Sequence, residues 1–287
     1  MSKKTIANKS ESPVRADVLI ANAYPEYSRS ALSKLFIQDS ITLEKMPIKA
    51  GYKVRPEGKI MADISNLQRV EEIIELPIIF EDKNVIVIDK PIGVISHARG
   101  KYWDEASVAS FVRSKVANNM EGERAGIVHR LDRATSGVMI CAKNSETLSF
   151  LQKQFSQHKT KKVYIALIGG TLDPAEAIID VPVGRNPKKP QTFRPDPNGK
   201  NASTSYKVLK TNTTFSLLEL KPTTGRTHQL RVHLKYLKHP ILGDELYGSK
   251  PADRLYLHAK SLEITLPGGK RTTFVSELPI CFEEKFK

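Results

Sequence analysis

A single carboxylate between two guanidinium groups is the residue pattern in this chain with the clearest capacity for chemistry. Asp132 lies in HRLDRATSG (129–137), after the apolar residues 126–128 and before the apolar residues 138–140. This pattern predicts a strand, an exposed turn and a second strand, with Asp132 at the rim of a sheet. Flanking cations favour the ionised form of a carboxylate. Asp132 is therefore a candidate nucleophile toward an anionic substrate, and a salt-bridged turn is the alternative.

A second polar cluster, TTGRTHQLRVHL (223–234), follows about a hundred residues downstream. A helix is expected over roughly 227–238, and on it His228, Arg231 and Lys235 share one stripe. Residues 221–239 hold five Lys/Arg and no acid, so the start of this helix could bind phosphate. The alternatives are a solvated basic face and histidines that belong to the core.

Other site chemistries fit these clusters poorly. The glycine turn at 223–226 lacks the Gly-Lys-Ser/Thr of a Walker motif. His129-x-x-Asp132 and the His228/His233 pair match neither zincin nor zinc-finger spacing, so we predict no metal site. A metal-dependent nuclease remains a weak alternative, because such sites gather several carboxylates and both clusters are poor in acids.

The composition of the whole chain favours a polyanionic partner. Among 287 residues, 45 are Lys or Arg and 31 are Asp or Glu, which gives a net charge of +14. Nucleic acid is the commonest polyanion, and an anionic membrane surface is the alternative. No stretch approaches the roughly 20 apolar residues that span a bilayer. Cys141 and Cys281 are expected to be reduced core thiols, and the expected compartment is the cytoplasm.

The chain is expected to contain four segments. Residues 1–13 are polar and lysine-rich and predict a disordered tail, 14–60 predict a small basic α+β unit, and 61–76 predict an acidic linker. In 77–287 strands outnumber helices, which indicates an α+β fold with a mixed, mostly antiparallel central sheet and flanking helices. Residues 184–201, rich in Pro, Lys and Asn, predict a long exposed basic loop, either an extra substrate contact or simply solvated.

The two clusters resemble those of a known family. HRLDRATSG and TGRTHQLRVHLKYLKHPILGDELYG are similar to motifs of the RluA/RluD-type RNA pseudouridine synthases. The resemblance extends to 79–97, 161–170 and 254–267 and so covers about 77–287, the expected catalytic domain. Residues 14–60 resemble the alpha-L type RNA-binding module. They depart from it at Asp39, where the module usually has glycine, and at Glu44-Lys45, where it has an Asn-Gly hairpin.

The resemblance implies a reaction, a substrate and roles for particular residues. It implies conversion of uridines to pseudouridine without metal or organic cofactor, in large-subunit ribosomal RNA first and transfer RNA second, by a protein taken to be a monomer. It leaves open whether the nucleophile attacks the ring or the anomeric carbon of the ribose. A non-catalytic RNA-binding or ribosome-assembly protein is the rival interpretation, because neither the net charge nor the small module requires a catalytic function.

The implied catalytic residues are Asp132 as nucleophile, Arg231 as its ion-pair partner, and Tyr164 against the base as a candidate for deprotonating the ring carbon. The implied substrate contacts are Arg130, which fills the gap left by the flipped base, and His129, Arg226, His228 and Gln229.

Overall fold

The computed structural model describes residues 2–67, 74–98, 105–117, 120 and 124–287. The described residues form two compact units. The first contains residues 2–67 with 98 and 105, and the second contains 74–97, 106–117, 120 and 124–287. In the described parts of the chain, no helix is long and apolar enough to cross a membrane.

The first unit is a small α+β fold. Its helices α1 and α2 cover Ala16–Ala23 and Arg29–Ile37. Its main sheet has the strand order β1-β6-β3-β4, and β2 pairs separately with β5. Buried Ile20, Leu32 and Leu35 of the helices form one core with Ile41 and Ile60 of the sheet. The strands are β1 Lys3–Ala7, β2 Val14–Arg15, β3 Ile41–Leu43, β4 Met46–Pro47, β5 Lys53–Val54 and β6 Lys59–Asp63, and a 3-10 turn follows at Ser65–Leu67.

Two expected segment boundaries are wrong in this unit. Residues 1–13 were expected to be disordered, but β1 pairs with the whole of β6 and its Ile6 is buried in the core. Hydrophobic burial of one residue and a complete set of strand hydrogen bonds order this lysine-rich segment. The expected linker 61–76 begins inside β6, and Leu67 is also buried. Residues 68–73 of that linker lie outside the described residues.

The departures from the alpha-L module keep the backbone conformation that glycine and Asn-Gly would adopt. Glu44 and Lys45 form the two-residue turn between β3 and β4, with φ of 49° and 68°. Positive φ at both positions is the conformation that makes Asn-Gly favourable in such hairpins. Asp39, after α2, has φ of 53°. The turns are therefore retained at a cost in backbone strain, and their side chains are acidic or basic instead of small.

A nine-stranded sheet forms the second unit, with the order β11-β14-β15-β10-β16-β9-β8-β7 and β17 paired to β16. The described pairs are antiparallel except β16 with β9, which is parallel. This mixed, mostly antiparallel sheet confirms the expected α+β fold. The strands are β7 Ile78–Glu81, β8 Val85–Lys90, β9 Ser136–Ala142, β10 Lys161–Gly169, β11 Glu176–Asp180, β14 Ser203–Thr211, β15 Phe215–Pro222, β16 Leu257–Thr265 and β17 Arg271–Val275.

Helices and a hairpin flank this sheet. The helices are α3 Val108–Arg113, α4 Ser145–Ser156, α5 Gln229–Tyr236 and α6 Ile280–Glu284, with a 3-10 turn at Glu245–Tyr247. The segment 184–201 is mostly exposed, as expected, but it contains a short hairpin in which β12 Val183–Arg185 pairs with β13 Phe193–Pro195. Phe193 orders the hairpin, because it packs with buried Val232 and Tyr247. Cys141 is buried and Cys281 half-buried, and both are free thiols.

The parallel contact between β9 and β16 lies directly after the Asp132 turn. His258 and Ala259 pair with Ser136 and Gly137. Gly137 has φ of 115°, and a Cβ built on it would lie 2.2 Å from the carbonyl oxygen of Ala259. Only glycine fits this approach. The glycine that ends the HRLDRATSG motif therefore fixes where the turn bearing Asp132 meets the sheet.

Candidate active site

Backbone hydrogen bonds hold the turn that carries Asp132. The amide of Thr135 donates to the carbonyl of Asp132 at 3.0 Å. The Ser96 hydroxyl accepts from the Leu131 amide and donates to the Leu131 carbonyl, at 3.1 and 2.8 Å. Leu131 is buried, as expected for a residue that packs behind the nucleophile. The turn is therefore fixed on both sides of the carboxylate.

Lys90 anchors the same turn from behind. Lys90, the last residue of β8, is 0 % exposed. Its ammonium donates to the carbonyls of Pro91, Val94 and Arg133 at 2.8, 2.7 and 3.3 Å. Burial lowers the pKa of Lys90 to about 7, against the opposing charge of Asp132. The lysine therefore supports the turn that carries Asp132 from within the protein.

Arg133, which the sequence left without a role, belongs to this support. Its carbonyl accepts from the Gly93 amide at 2.8 Å, and its guanidinium donates to the Gly93 carbonyl at 3.3 Å. The two residues thus exchange hydrogen bonds between the loop after β8 and the Asp132 turn.

The helix of the second cluster begins two residues later than expected, at Gln229, and ends at Tyr236. Of the predicted stripe, Arg231 is buried, His228 is half-buried and Lys235 is exposed. Each of the three contacts the segment 244–247. His233, by contrast, is a core histidine: it is 0 % exposed and its ring nitrogens bond within the protein.

Arg231 joins two carboxylates, and the stronger contact is the one the sequence missed. Its Nε and Nη2 each lie 2.7 Å from an oxygen of Asp244, which is 1 % exposed. Its Nη1 lies 3.5 Å from Oδ2 of Asp132. Burial works against the charged form of Arg231, but Asp244 and then Asp132 more than offset it and raise its pKa. The expected ion pair with Asp132 is present as the longer of the two.

The position of Asp244 depends on a tight turn. Gly243 before it has φ of 78°, and a Cβ there would lie against the carbonyl oxygen of Arg254. Asp244 lies in the segment GDELYG (243–248), and the sequence pattern predicted no role for it. The signal available was an acid between two glycines, close in sequence to an otherwise acid-free helix.

Gln229, which was predicted to contact substrate, lines the pocket and bonds within the protein. It is 4 % exposed. Its carbonyl oxygen accepts from the Thr224 hydroxyl and the Arg226 amide at 2.7 and 3.0 Å. Its amide nitrogen donates to the Ser203 carbonyl and the Thr204 hydroxyl, both at 3.0 Å. These bonds use both ends of the side chain and leave it to fix the glycine turn against β14.

His129 also acts within the protein. Its Nε2 accepts from the Ile140 amide at 3.1 Å, and its ring stacks on Phe155 with centroids 4.6 Å apart. Burial, and then the charge of Lys162, lowers the pKa of His129 to about 3. The imidazole is therefore neutral at physiological pH and joins the turn to β9 and α4, so the expected substrate contact is limited to the ring edge that faces the pocket.

A pocket of about 490 Å³ collects the predicted residues, a volume typical of small-molecule sites. Asp132 is the one carboxylate among its described lining residues, beside four cations. Arg130 is exposed at the pocket, and Lys162 donates to the Thr224 carbonyl with its pKa lowered by burial to about 8. Burial and the charge of Asp132 raise the pKa of Tyr164, so its phenol stays protonated. The charged and aromatic residues of the lining include His129, Arg130, Asp132, Lys162, Tyr164, Arg226, His228 and Arg231.

Comparison with known proteins places the chain in an enzyme family. A sequence model of RNA pseudouridylate synthases matches residues 84–236, which contain both clusters and Tyr164. The chain belongs to this family. It is 38% identical to the ribosomal large subunit pseudouridine synthase D of Borreliella burgdorferi, over 94% of this chain and 87% of that protein. It is 34% identical to the protein of the same name from Nitrosomonas europaea, over 93% and 81%.

Solved structures agree with the family assignment. Human RNA pseudouridylate synthase domain containing 4 is 28% identical, with a TM-score of 0.59 over 73% of this chain and 91% of that one. Human RNA pseudouridylate synthase domain containing 1 is 27% identical, with a TM-score of 0.60 over 71% and 84%. Family membership confirms the expectation of an RNA pseudouridine synthase, an isomerase.

Proposed function

We propose that this protein converts uridines of large-subunit ribosomal RNA to pseudouridine with Asp132 as the nucleophile. The observation that carries the proposal is the setting of Asp132, the one carboxylate among the described residues of a cationic pocket, with Arg231 3.5 Å from its Oδ2. Cations of the wall attract an RNA segment, and the Arg231 charge favours an ionised carboxylate.

The isomerisation exchanges one bond of the uridine for another. The bond from N1 to the anomeric carbon breaks, the bond from C5 to the anomeric carbon forms, and C5 loses a proton while N1 gains one. Asp132 forms a covalent bond in the first half and leaves in the second, whether it attacks the anomeric carbon or the ring. No atom is gained or lost overall, so the carboxylate is regenerated.

A uridine must leave its stack before it can reach this pocket. Arg130 is exposed at the pocket, and we assign it to the gap that the extruded base leaves, because a guanidinium stacks on bases and pairs with phosphates. Tyr164 lines the pocket near Asp132, and its raised pKa favours packing and hydrogen bonding over proton abstraction. Arg226 is the remaining predicted contact for phosphate.

The choice of ribosomal RNA rests on the two relatives above, which are named for the large ribosomal subunit. Transfer RNA is the second candidate substrate. We expect a monomer that acts in the cytoplasm, where ribosomal RNA is found, and an RNA-binding role for the first unit. A non-catalytic RNA-binding protein is the rival function, and the activity of an Asp132 variant distinguishes the two functions.

The test is release of tritium from RNA that carries 5-tritiated uridine, because C5 loses its hydrogen in this reaction. We expect release by the purified wild-type protein and none by Asp132→Asn, with RNA affinity nearly unchanged. Glu277→Gln, which neutralises an exposed carboxylate outside the pocket-lining set, is the matched control and should keep full activity. Full release by Asp132→Asn would refute the assignment, and binding without release by the wild type would support the rival.

A further inference from the structure

We propose that Tyr247 fixes the tautomer of His228 so that the imidazole donates its Nε2 hydrogen toward the nucleophile Asp132. In this arrangement Tyr247 and His228 are positioning residues: they hold the carboxylate and select the oxygen that attacks. The inference rests on the proposed function of Asp132 and assigns to His228 a task different from the expected contact with RNA.

The direction of the hydrogen bonds follows from the donors available. The amide of Phe193 lies 2.9 Å from the Tyr247 hydroxyl oxygen, and an amide can only donate. The hydroxyl therefore accepts from Phe193 and directs its own hydrogen to Nδ1 of His228, 2.8 Å away. A neutral imidazole that accepts at Nδ1 carries its hydrogen on Nε2.

That hydrogen faces the nucleophile. Nε2 of His228 lies 3.7 Å from Oδ2 of Asp132, and Nη1 of Arg231 lies 3.5 Å from the same oxygen. In the described parts of the chain no hydrogen bond reaches Oδ1. Two donors on one oxygen leave the other as the atom that forms the bond to the substrate. Both distances exceed an ideal hydrogen bond, and such contacts commonly tighten when the substrate binds.

The charges around His228 favour the neutral ring that this geometry needs. Burial lowers its pKa, as do Arg231 and Arg130, while Asp132 and Asp244 oppose the shift. Burial raises the pKa of Tyr247 to about 12, so its hydroxyl keeps the hydrogen that it donates. A neutral donor orients the carboxylate without adding a second cation beside Arg231, which would make the nucleophile weaker.

Packing keeps the imidazole in place. Phe193 and Tyr247 each meet the His228 ring edge to face, with centroids 5.6 Å apart in both pairs. The backbone of His228 has φ of 57°, a left-handed conformation that a non-glycine residue adopts only where its surroundings hold it. Tyr247 is 3 % exposed and cannot reach the RNA itself. Its removal therefore tests positioning separately from binding.

The first test reads the tautomer directly. In nitrogen-15 NMR spectra of the full chain near pH 7.5, we expect His228 of the wild type to carry its hydrogen on Nε2. Tyr247→Phe removes the donor to Nδ1 and should convert a measurable fraction to the Nδ1 tautomer or to the protonated ring. Tyr206→Phe removes another buried hydroxyl, which donates to Pro174, and should leave the His228 signals unchanged. Hydrogen on Nδ1 in the wild type, or no change in Tyr247→Phe, would overturn the proposal.

The second test separates turnover from binding. At saturating RNA we expect Tyr247→Phe and His228→Met to lower kcat by about tenfold each, since each removes a hydrogen bond that acts on a charged group. RNA affinity should stay within twofold for Tyr247→Phe. His228→Gln keeps an N–H donor and should retain more of kcat than His228→Met. Equal loss in those two, or loss confined to affinity, would overturn the positioning role. An inactive wild type would instead overturn the proposed function, whatever the tautomer.

Discussion

Asp244 offers the sharpest test of how the site is assembled, because it is buried, is separated from the RNA and holds Arg231 by two bonds of 2.7 Å. Asp244→Asn keeps the shape of the side chain and removes its charge. Opposite charges about 4 Å apart attract by about 4 kcal/mol at an effective dielectric constant of about 20. Breaking a buried pair by removing one partner costs about 3–5 kcal/mol. We expect a loss of that size in the free energy of unfolding.

The same change should move Arg231 toward the nucleophile. With Asp132 as its remaining carboxylate, the guanidinium is expected to close the 3.5 Å contact to about 2.8 Å. A catalytic group displaced by about 1 Å can lose about 100-fold in rate. We therefore expect single-turnover rates 10- to 100-fold below wild type. RNA affinity should be nearly unchanged, because Asp244 does not reach the surface.

Urea unfolding and single-turnover tritium release, at a temperature where the variant is folded, measure the two effects. Glu277→Gln is the control: its side chain is 97% exposed and pairs with Lys260 at 3.6 Å. Exposed pairs contribute about 0–1 kcal/mol, so this variant should match the wild type. If Asp244→Asn were as stable and as fast as Glu277→Gln, the Arg231 arrangement derived above would be wrong.

Three further predictions concern the support of the site and the first unit. Gly137→Ala should lower the free energy of unfolding by about 3 kcal/mol or more, or prevent folding, because the added Cβ clashes with a carbonyl of β16. Gly169→Ala is the control and should change this free energy little, because the added Cβ meets open space. Asn-Gly in place of Glu44-Lys45 should raise the free energy of unfolding by about 1 kcal/mol, and a loss would show that these side chains stabilise the turn. The pKa of His129 is lowered to about 3, so between pH 6.5 and 3 the unfolded chain binds one proton more than the folded chain, and the free energy of unfolding decreases as the pH is lowered. His129→Gln should reduce this pH dependence by about 1.4 kcal/mol per pH unit. An equal pH dependence in the wild type and the variant would contradict the prediction.

The candidate nucleophile Asp132 and its pocket could be predicted because the information is local. Asp132 lies in a contiguous motif, and His228 and Arg231 lie three residues apart in the second cluster, at the start of one helix. The excess of strand-like segments over helices in 77–287 likewise predicted the α+β fold. The sequence pattern was sufficient to predict the residues that one contiguous motif or one helix brings together.

The rest depended on which groups meet through tertiary packing. The neighbouring residues in the sequence do not indicate that Asp244 accepts two hydrogen bonds from Arg231. They also do not indicate that both ends of the Gln229 amide bond within the protein. Lys90 ends a strand and precedes Pro-Ile-Gly, which suggests exposure, yet three carbonyls enclose it. Residues 3–7 look like a polar tail, and only their pairing with β6 makes them a strand.

The central claim is that Asp132 isomerises uridines of the large-subunit ribosomal RNA. The most direct measurement is a pseudouridine map of ribosomal and transfer RNA from cells that lack the gene and carry either the wild-type or the Asp132→Asn copy. We predict that specific large-subunit sites vanish on deletion, return with the wild-type copy and stay absent with Asp132→Asn expressed at the same level. Sites restored by Asp132→Asn, or losses confined to transfer RNA, would contradict the account.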